Sequence, residues 1–179
     1  LFLSRGWDVA VLDDLSSGKR ENVAQGVRLH VCDVRSPEAA KVVAEEKPDV
    51  LCHHAAQIDV RKSMVDPRFD ADVNVGGLLN LMTAAAAAGI GLYGAGFRPA
   101  GAGYGETEVI PSPETLLPAP VSAYGAAKMA SELYLGVFRA SHGIKAACLR
   151  YANVYGPRQD PHGEAGVVDE LCGVAGLGV

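Results

Sequence analysis

The sequence predicts a doubly wound α/β fold with a mostly parallel sheet. Three observations carry that expectation. Short apolar runs recur along the chain, helical stretches with one apolar face separate them, and brief turns join the two. Strands alternating with helices build βαβ units, whose strands are buried on both faces and read as near-continuous apolar runs. The 179 residues make about one domain, enough for a core of ordinary size.

In chain order, residues 1–6 (LFLSRG) read as the last turns of an amphipathic helix, closed by Gly6 at its C-terminal cap. Residues 7–12 (WDVAVL) form an apolar strand that runs into Asp13 and Asp14, and residues 27–32 (VRLHVC) alternate as a strand ending at Asp33. Residues 37–46 have helix composition, with Ser36 as N-cap and Pro37 at the first helical position. Residues 49–54 (DVLCHH) are again strand-like. Residues 70–88 carry helical periodicity through Val73, Leu78, Leu81 and Met82, and the alanines at 84–88 are the end of that helix. Residues 122–141 form a further helix closed by Gly143, and residues 145–150 (KAACLR) the next strand.

Composition excludes several functions. A net charge of −5 gives no basic footprint for nucleic acid or for an anionic membrane. No apolar run approaches the ~20 residues of a membrane span, and no charged-then-apolar leader argues for export, so a cytoplasmic protein is expected. Cys32, Cys52, Cys148 and Cys172 show no C-x-x-C spacing, and three of them sit in apolar runs. Buried free thiols in a reducing compartment are the expectation.

In doubly wound sheets ligands sit at the C-terminal ends of the strands. Asp13 stands after the first strand, where a carboxylate accepts both hydroxyls of an adenosine ribose and repels a 2′-phosphate; a turn-forming Asp in DDLSSG is the alternative. Asp33-Val34 follow the second strand, where an Asp can meet an adenine amino group. Ala55-Ala56-Gln57 follow the third, and small residues there let the backbone approach a dinucleotide closely; tight packing accounts for them equally well. Lys19 and Arg20 lie beyond Asp13 and read as a solvated turn. His53-His54 read as packed imidazoles at the sheet edge rather than metal ligands, and Asp160, His162 and Glu164 as a polar loop; no metal site is expected.

Tyr124 and Lys128 lie four apart in SAYGAAKMASELY, one turn apart on one helical face. A phenol has an ordinary pKa of about 10, too high for a base at neutral pH. A cation one turn away favours the phenolate and moves the group toward acid–base work beside a nicotinamide. The same spacing also fits a packed tyrosine beside a solvated lysine.

Six segments decide among these readings. DDLSSGKRENV, CDVRSPE, HHAAQIDVRKS, DADVNVGGLLNL, SAYGAAK and LRYANVYGPRQDPHGEAGVV together resemble the extended short-chain dehydrogenase/reductase superfamily. Within it the chain looks like the NAD-dependent epimerase/dehydratase family, specifically UDP-glucose 4-epimerase-like proteins, from about Trp7 to about Val168. The resemblance implies that Asp13, Leu15, Ser16, Ser17 and Gly18 line the adenosine ribose of NAD, and Asp33 and Val34 the adenine. Ala55, Ala56 and Gln57 would run beside the pyrophosphate and nicotinamide ribose, with Asn74 supporting the cofactor side. Tyr124 would be the catalytic base and Lys128 its ribose-binding partner. Tyr151 and Ala152 would lie along the nicotinamide, and Asn153 would reach a sugar nucleotide, a UDP-hexose. In such epimerases the tyrosine removes the C4 hydroxyl proton while hydride passes to resident NAD, then returns to the other face of the keto sugar. The helices near residues 73–88 and 124–139 would pair two copies through a four-helix bundle.

The departures from the family are equally specific. The strand and G-x-x-G-x-x-G turn that open the family are not in this sequence, and it stops as the second lobe would begin. The expectation is an incomplete Rossmann-type doubly wound parallel sheet, lacking the first strand and the C-terminal substrate lobe. Residues 1–168 would be a partial NAD-binding domain and residues 169–179 the truncated start of the substrate-lobe region, with negligible epimerase turnover in isolation. A non-catalytic remnant that weakly holds NAD or its adenosine half, or another sugar-nucleotide epimerase/dehydratase, are the alternatives. Residues 89–105 hold a strand and a Ser/Thr-containing turn in the family. Here they carry six glycines from Gly91 to Gly105, Pro99, no β-branched residue after Ile90 and no Ser or Thr from Ile90 to Tyr104. This is poor strand material. A local reading-frame error or gene decay would explain it, or a true variant whose strand has become a loop. Gly101 and Ala102 replace the Asp-Glu pair of the dehydratases, which tells against dehydration.

Overall fold

The computed structural model describes residues 1–97, 100–151 and 154. The strands among the described residues are β1 (Ala10–Asp13), β2 (Arg28–Val31), β3 (Val50–His53), β4 (Leu92–Phe97) and β5 (Lys145–Arg150). The α-helices among the described residues are α1 (Pro37–Glu46), α2 (Val60–Val65), α3 (Pro67–Ala71), α4 (Gly77–Ala87), α5 (Ala100–Tyr104) and α6 (Ala123–His142). Among the described residues every strand pair is parallel, as the α/β alternation predicts. Ala10 faces Arg28 and Asp13 faces Val31 in one ladder. In the other, β4 lies between β3 and β5, with Leu92 opposite both Val50 and Lys145. Among the described residues the two ladders, β1-β2 and β3-β4-β5, are not hydrogen-bonded to each other.

Helix α4 joins them. Its Leu81 and Ala85 pack with Ala39 and Val43 of α1 and with Val34 and Ile90, over Leu12 and Cys32 of the first ladder. Its Leu78 and Met82, both fully buried, pack with Leu135 of α6 and Ile144, over Ala146 and Cys148 of β5. Leu51 of β3 touches both clusters. One helix with apolar residues on two adjoining faces thus spans the seam, which orients α6 relative to β1 and β2. Among the described residues no helix is long and apolar enough to cross a membrane.

Local capping chemistry places α1 and α6 where the sequence predicts. Ser36 Oγ accepts the Ala39 N–H at 3.2 Å, and Ser122 Oγ accepts the Gly125 N–H at 3.1 Å. Gly143 closes α6 in the left-handed conformation. Four expectations are corrected. The first segment is a single 3-10 turn, Leu3–Arg5, rather than an α-helix, and β1 starts at Ala10 with Trp7 left exposed. The helical stretch at 70–88 is broken: it opens as α3, passes through a π-helical turn at Asp72–Gly76 and resumes as α4. The glycine-rich segment is not a loop, because Leu92–Phe97 is a central strand. Strand propensity largely measures side-chain packing; a glycine still has its main-chain N–H and C=O, and ladders on both sides satisfy them. Finally, the thiols of Cys32, Cys52 and Cys148 are free but not fully buried, and Cys52 is exposed; Cys172 lies outside the described residues.

Candidate active site

The Tyr–Lys pair lies on the inner face of α6, which also buries Ala127, Ser131 and Leu135. Tyr124 and Lys128 are each only 4% exposed, and the Lys128 ammonium stands 5.3 Å from the centre of the Tyr124 ring. The first turn of α6 is fixed from two sides. Ser63 of α2, fully buried, accepts the Tyr124 main-chain N–H at 3.1 Å and donates to the Val60 carbonyl at 2.6 Å. On the other side Gly125 meets the end of α5: a Cβ there would stand 2.1 Å from the Ala102 carbonyl oxygen. Only glycine permits that approach. Arg150 of β5 ties the same region together, donating to both Glu132 carboxylate oxygens of α6, to the Tyr104 hydroxyl and to the Glu114 carbonyl.

Behind Lys128 lies a closed polar network. Its Nζ donates to Asn74 Oδ1 at 3.0 Å. Asn74 sits in the π-helical turn, a feature frequent at functional sites. Its Nδ2 donates to the Gln57 carbonyl at 3.1 Å and to Asp70 Oδ1 at 3.0 Å, and its own carbonyl accepts from Ser131 Oγ at 3.2 Å. Gln57 Nε2 donates to the same Asp70 oxygen at 2.8 Å and to the Asp59 carbonyl at 2.8 Å. Burial pulls the Lys128 ammonium down to about 8, with the Asp70 carboxylate acting in the opposite sense. Burial, and then the Lys128 charge, hold His53 down to about 3, so its imidazole is neutral at neutral pH. Burial pushes the Cys148 thiol up to about 12. Lys128 is therefore poised to carry or yield a proton near neutrality, between two neighbours that do not titrate there.

A second group of expected residues gathers at the ends of β1 and β2. Asp13 is half-buried; its Oδ1 accepts the Leu15 N–H at 2.7 Å, and Leu15 takes the left-handed conformation at φ 58°. The Ser16 N–H goes to Asp14 Oδ1 at 2.9 Å, and the chain brings Gly18 back against the Asp13 carboxylate, so closely that a Cβ on Gly18 would stand 2.8 Å from Asp13 Oδ1. A cavity of about 420 Å³ opens beside it, lined by Asp13, Leu15, Gly18 and the apolar Val9, Val11 and Val23. An acidic group with an apolar floor and a glycine in place of a side chain is a fitting cradle for an adenosine ribose. Asp33 is engaged otherwise: its carboxylate takes the Arg35 main-chain N–H at 2.8 Å and pairs with the Arg35 guanidinium, which holds it below the usual carboxylate range. The side chain of Val34 belongs to the core.

The remaining expected residues divide. Ala55 and Ala56 are half-buried just beyond β3. The Gln57 side chain is spent internally, as is that of Asn74, which meets Lys128 rather than an open cofactor face. Tyr151 lies at the end of β5, its hydroxyl 3.3 Å from His54 Nε2 and its ring parallel to that imidazole. Ala152, Asn153, Asp160, His162 and Glu164 lie outside the described residues, as does the 169–179 segment. Among the described residues no group of three or more His, Cys, Asp or Glu could hold a metal ion. Sequence reasoning missed Ser63 and Asp70. The one available signal for Asp70 is its spacing of four from Asn74, which puts both on one helical face; nothing local marks Ser63.

The chain matches the model of the NAD dependent epimerase/dehydratase family over residues 1–175. It is 42% identical over 171 residues to a UDP-glucose 4-epimerase of Mycolicibacterium smegmatis, a match covering 93% of this chain and 54% of that protein. The UDP-glucose 4-epimerase of Thermus thermophilus, solved in complex with NAD, superimposes with a TM-score of 0.91 at 46% identity, covering 99% of this chain and 58% of that one. That of Thermotoga maritima, solved with UDP-glucose, gives a TM-score of 0.89 at 40% identity, covering 93% and 54%. The chain spans about half the length of the curated relatives it matches. With the family model extending over nearly its whole length, the chain belongs to the NAD dependent epimerase/dehydratase family.

Proposed function

We propose that the protein containing this chain interconverts the C4 epimers of a UDP-hexose, with NAD as a resident cofactor. The observation that carries the reading is the buried Tyr124–Lys128 pair at the C-terminal side of the parallel sheet, its ammonium held by Asn74. Asp13 and the Leu15–Gly18 turn would hold the adenosine ribose, and the main chain at Ala55 and Ala56 would flank the pyrophosphate. NAD, when bound, supplies a hydride acceptor and donor. Tyr124 would accept the C4 hydroxyl proton at its phenol oxygen and return it. Lys128 would bind the nicotinamide ribose and favour the phenolate by its charge. Asp13 supports NAD over NADP, because its carboxylate would repel a 2′-phosphate. The UDP-hexose is supported by the likeness to the enzyme solved with UDP-glucose. Free thiols support a reducing, cytoplasmic setting. Pairing of two copies through α4 and α6 belongs to the same reading, supported by Leu133, Tyr134 and Val137 exposed along α6.

A second reading, a chain that holds NAD or its adenosine half without catalysis, draws on the absence of any Ser or Thr from Ile90 to Tyr104. The buried hydroxyl of Ser63 does not replace the family's reacting-side hydroxyl, since it is bonded to the Tyr124 main chain. One experiment separates the two. Residues 1–179 replace the matching segment of the Thermus thermophilus enzyme, and conversion of UDP-galactose to UDP-glucose is followed by a coupled dehydrogenase. Turnover that Tyr124→Phe abolishes is expected. A folded chimera that retains NAD but converts nothing refutes the epimerase reading and leaves the binding one.

A further inference from the structure

Asp70 is 1% exposed, yet it does none of the work its neighbours do. Asp59 and Asp66 cap α2 and α3 through the Lys62 and Phe69 N–H groups, each with one carboxylate oxygen. Asp70 points inward instead. Its Oδ1 accepts two neutral amide donors, from Gln57 and Asn74, and its Oδ2 has no partner among the described residues. A buried carboxylate met only by two neutral donors is poorly compensated unless a cation lies close by. That cation is Lys128, one side chain away: Asp70 Oδ1 receives Asn74 Nδ2, and Asn74 Oδ1 receives Lys128 Nζ.

The Asn74 amide has one workable orientation. Its nitrogen faces two acceptors, the Gln57 carbonyl and Asp70 Oδ1, so its oxygen must face the ammonium. Without the Asp70 anchor the Gln57 carbonyl is left, among the described residues, as the acceptor that keeps the amide from turning its NH₂ towards Lys128, donor against donor.

We propose that Asp70 is a positioning residue of the Tyr124–Lys128 site: a buried counter-charge that, through the Asn74 amide, holds the Lys128 ammonium in place and protonated. The proposal rests on the epimerase reading only for its consequence in turnover, not for the coupling itself. Among the described residues, the groups that face or act on Lys128 include Tyr124 from α6, Asp70 from α3, Asn74 from the π-helical turn, His53 from β3 and Cys148 from β5. His53 is neutral near pH 7, and Cys148 is a thiol there. The carboxylate of Asp70 is thus an opposing charge that faces Lys128 across Asn74. Removing a negative charge lowers the pKa of a buried ammonium. Loss of the protonated lysine would then come at lower pH.

The test uses the 179-residue chain with ¹³C-labelled lysine. Lys128 is identified as the resonance lost in Lys128→Met, and its titration is followed by NMR in wild type, Asp70→Asn and the exposed control Asp72→Asn. The Lys128 midpoint is expected to fall by about one pH unit or more in Asp70→Asn, a roughly tenfold fall in the ratio of protonated to neutral lysine at the old midpoint. It should stay in place in Asp72→Asn. An unmoved midpoint in Asp70→Asn overturns the proposal, as does an equal fall in the control. If Asp70→Asn does not fold, the wild-type chain labelled uniformly with ¹³C and ¹⁵N still decides: the Asp70 carboxyl ¹³C and Asn74 side-chain amide resonances must follow the Lys128 midpoint, and resonances that ignore it refute the coupling. In the chimera, Asp70→Asn is expected to move the alkaline limb of the kcat/KM profile down by the same interval; an unmoved limb refutes the positioning role. A chimera inactive from the outset counts against the epimerase reading alone, and the titration then judges Asp70 by itself.

Discussion

Ser63→Ala tests how Tyr124 is held. Tyr124 is the second residue of α6, so its N–H has no carbonyl within the helix to bond. Ser122 takes the Gly125 N–H, and Ser63 Oγ takes that of Tyr124 at 3.1 Å in a site closed to solvent. Deleting the hydroxyl takes a hydrogen-bond acceptor away from a buried donor, at a cost of about 1–3 kcal/mol. With a urea m-value of about 2 kcal/mol/M, the unfolding midpoint falls by about 0.5–1.5 M. Urea titration followed by far-UV circular dichroism reads this directly, provided the slope is unchanged. Ser63→Cys keeps the volume but supplies only a weak acceptor, and should behave like the alanine variant. A midpoint shift below about 0.2 M for Ser63→Ala at constant slope refutes the reasoning. The N–H would then have another acceptor, and Ser63 would not fix the start of α6.

Two further outcomes follow from the surface. Glu46 accepts from the Arg28 guanidinium at 2.8 Å and pairs with His30 Nε2 at 2.7 Å; the Arg28 hydrogen bond first, then that of His30, holds its carboxyl down to about 2 from the usual 4.5. A depressed carboxylate stabilises the fold above its unfolded value, and that contribution is lost as pH falls from about 4.5 towards about 2. Thermal melts from pH 5 to pH 2 should steepen in that window for wild type and flatten in Glu46→Gln, and identical pH dependence in both would discard the linkage. If two copies pair through α4 and α6, Leu133→Glu with Val137→Glu should halve the mass seen by sedimentation equilibrium. A wild-type chain that is monomeric at every concentration rules the pairing out.

Much of the fold was legible because its signals are local. Ser36 and Pro37 mark the start of α1, and Ser122 and Gly143 bracket α6, because a cap needs only residues within a turn of itself. The Asp13 turn was legible for the same reason: the carboxylate bonds two residues on, and Gly18 lies against it. Strand β4 was not, since its hydrogen-bond partners sit about 40 residues before it and 50 after it, in β3 and β5. A glycine-rich stretch can only be recognised as a strand once those neighbours are in place.

The same division runs through the site. The sequence by itself determined the parallel α/β architecture, the family and the Tyr124–Lys128 pair, because periodicity, caps and motif spacing are written within short stretches. Tertiary structure decided what that pair rests on. Ser63 reaches Tyr124 across 61 residues, and Lys128 reaches Asn74 across 54. The π-helical turn presents the Asn74 amide to Lys128, and Asp70 and Gln57 hold that amide from behind. Burial, a property only of the folded chain, brings the ammonium down to about 8.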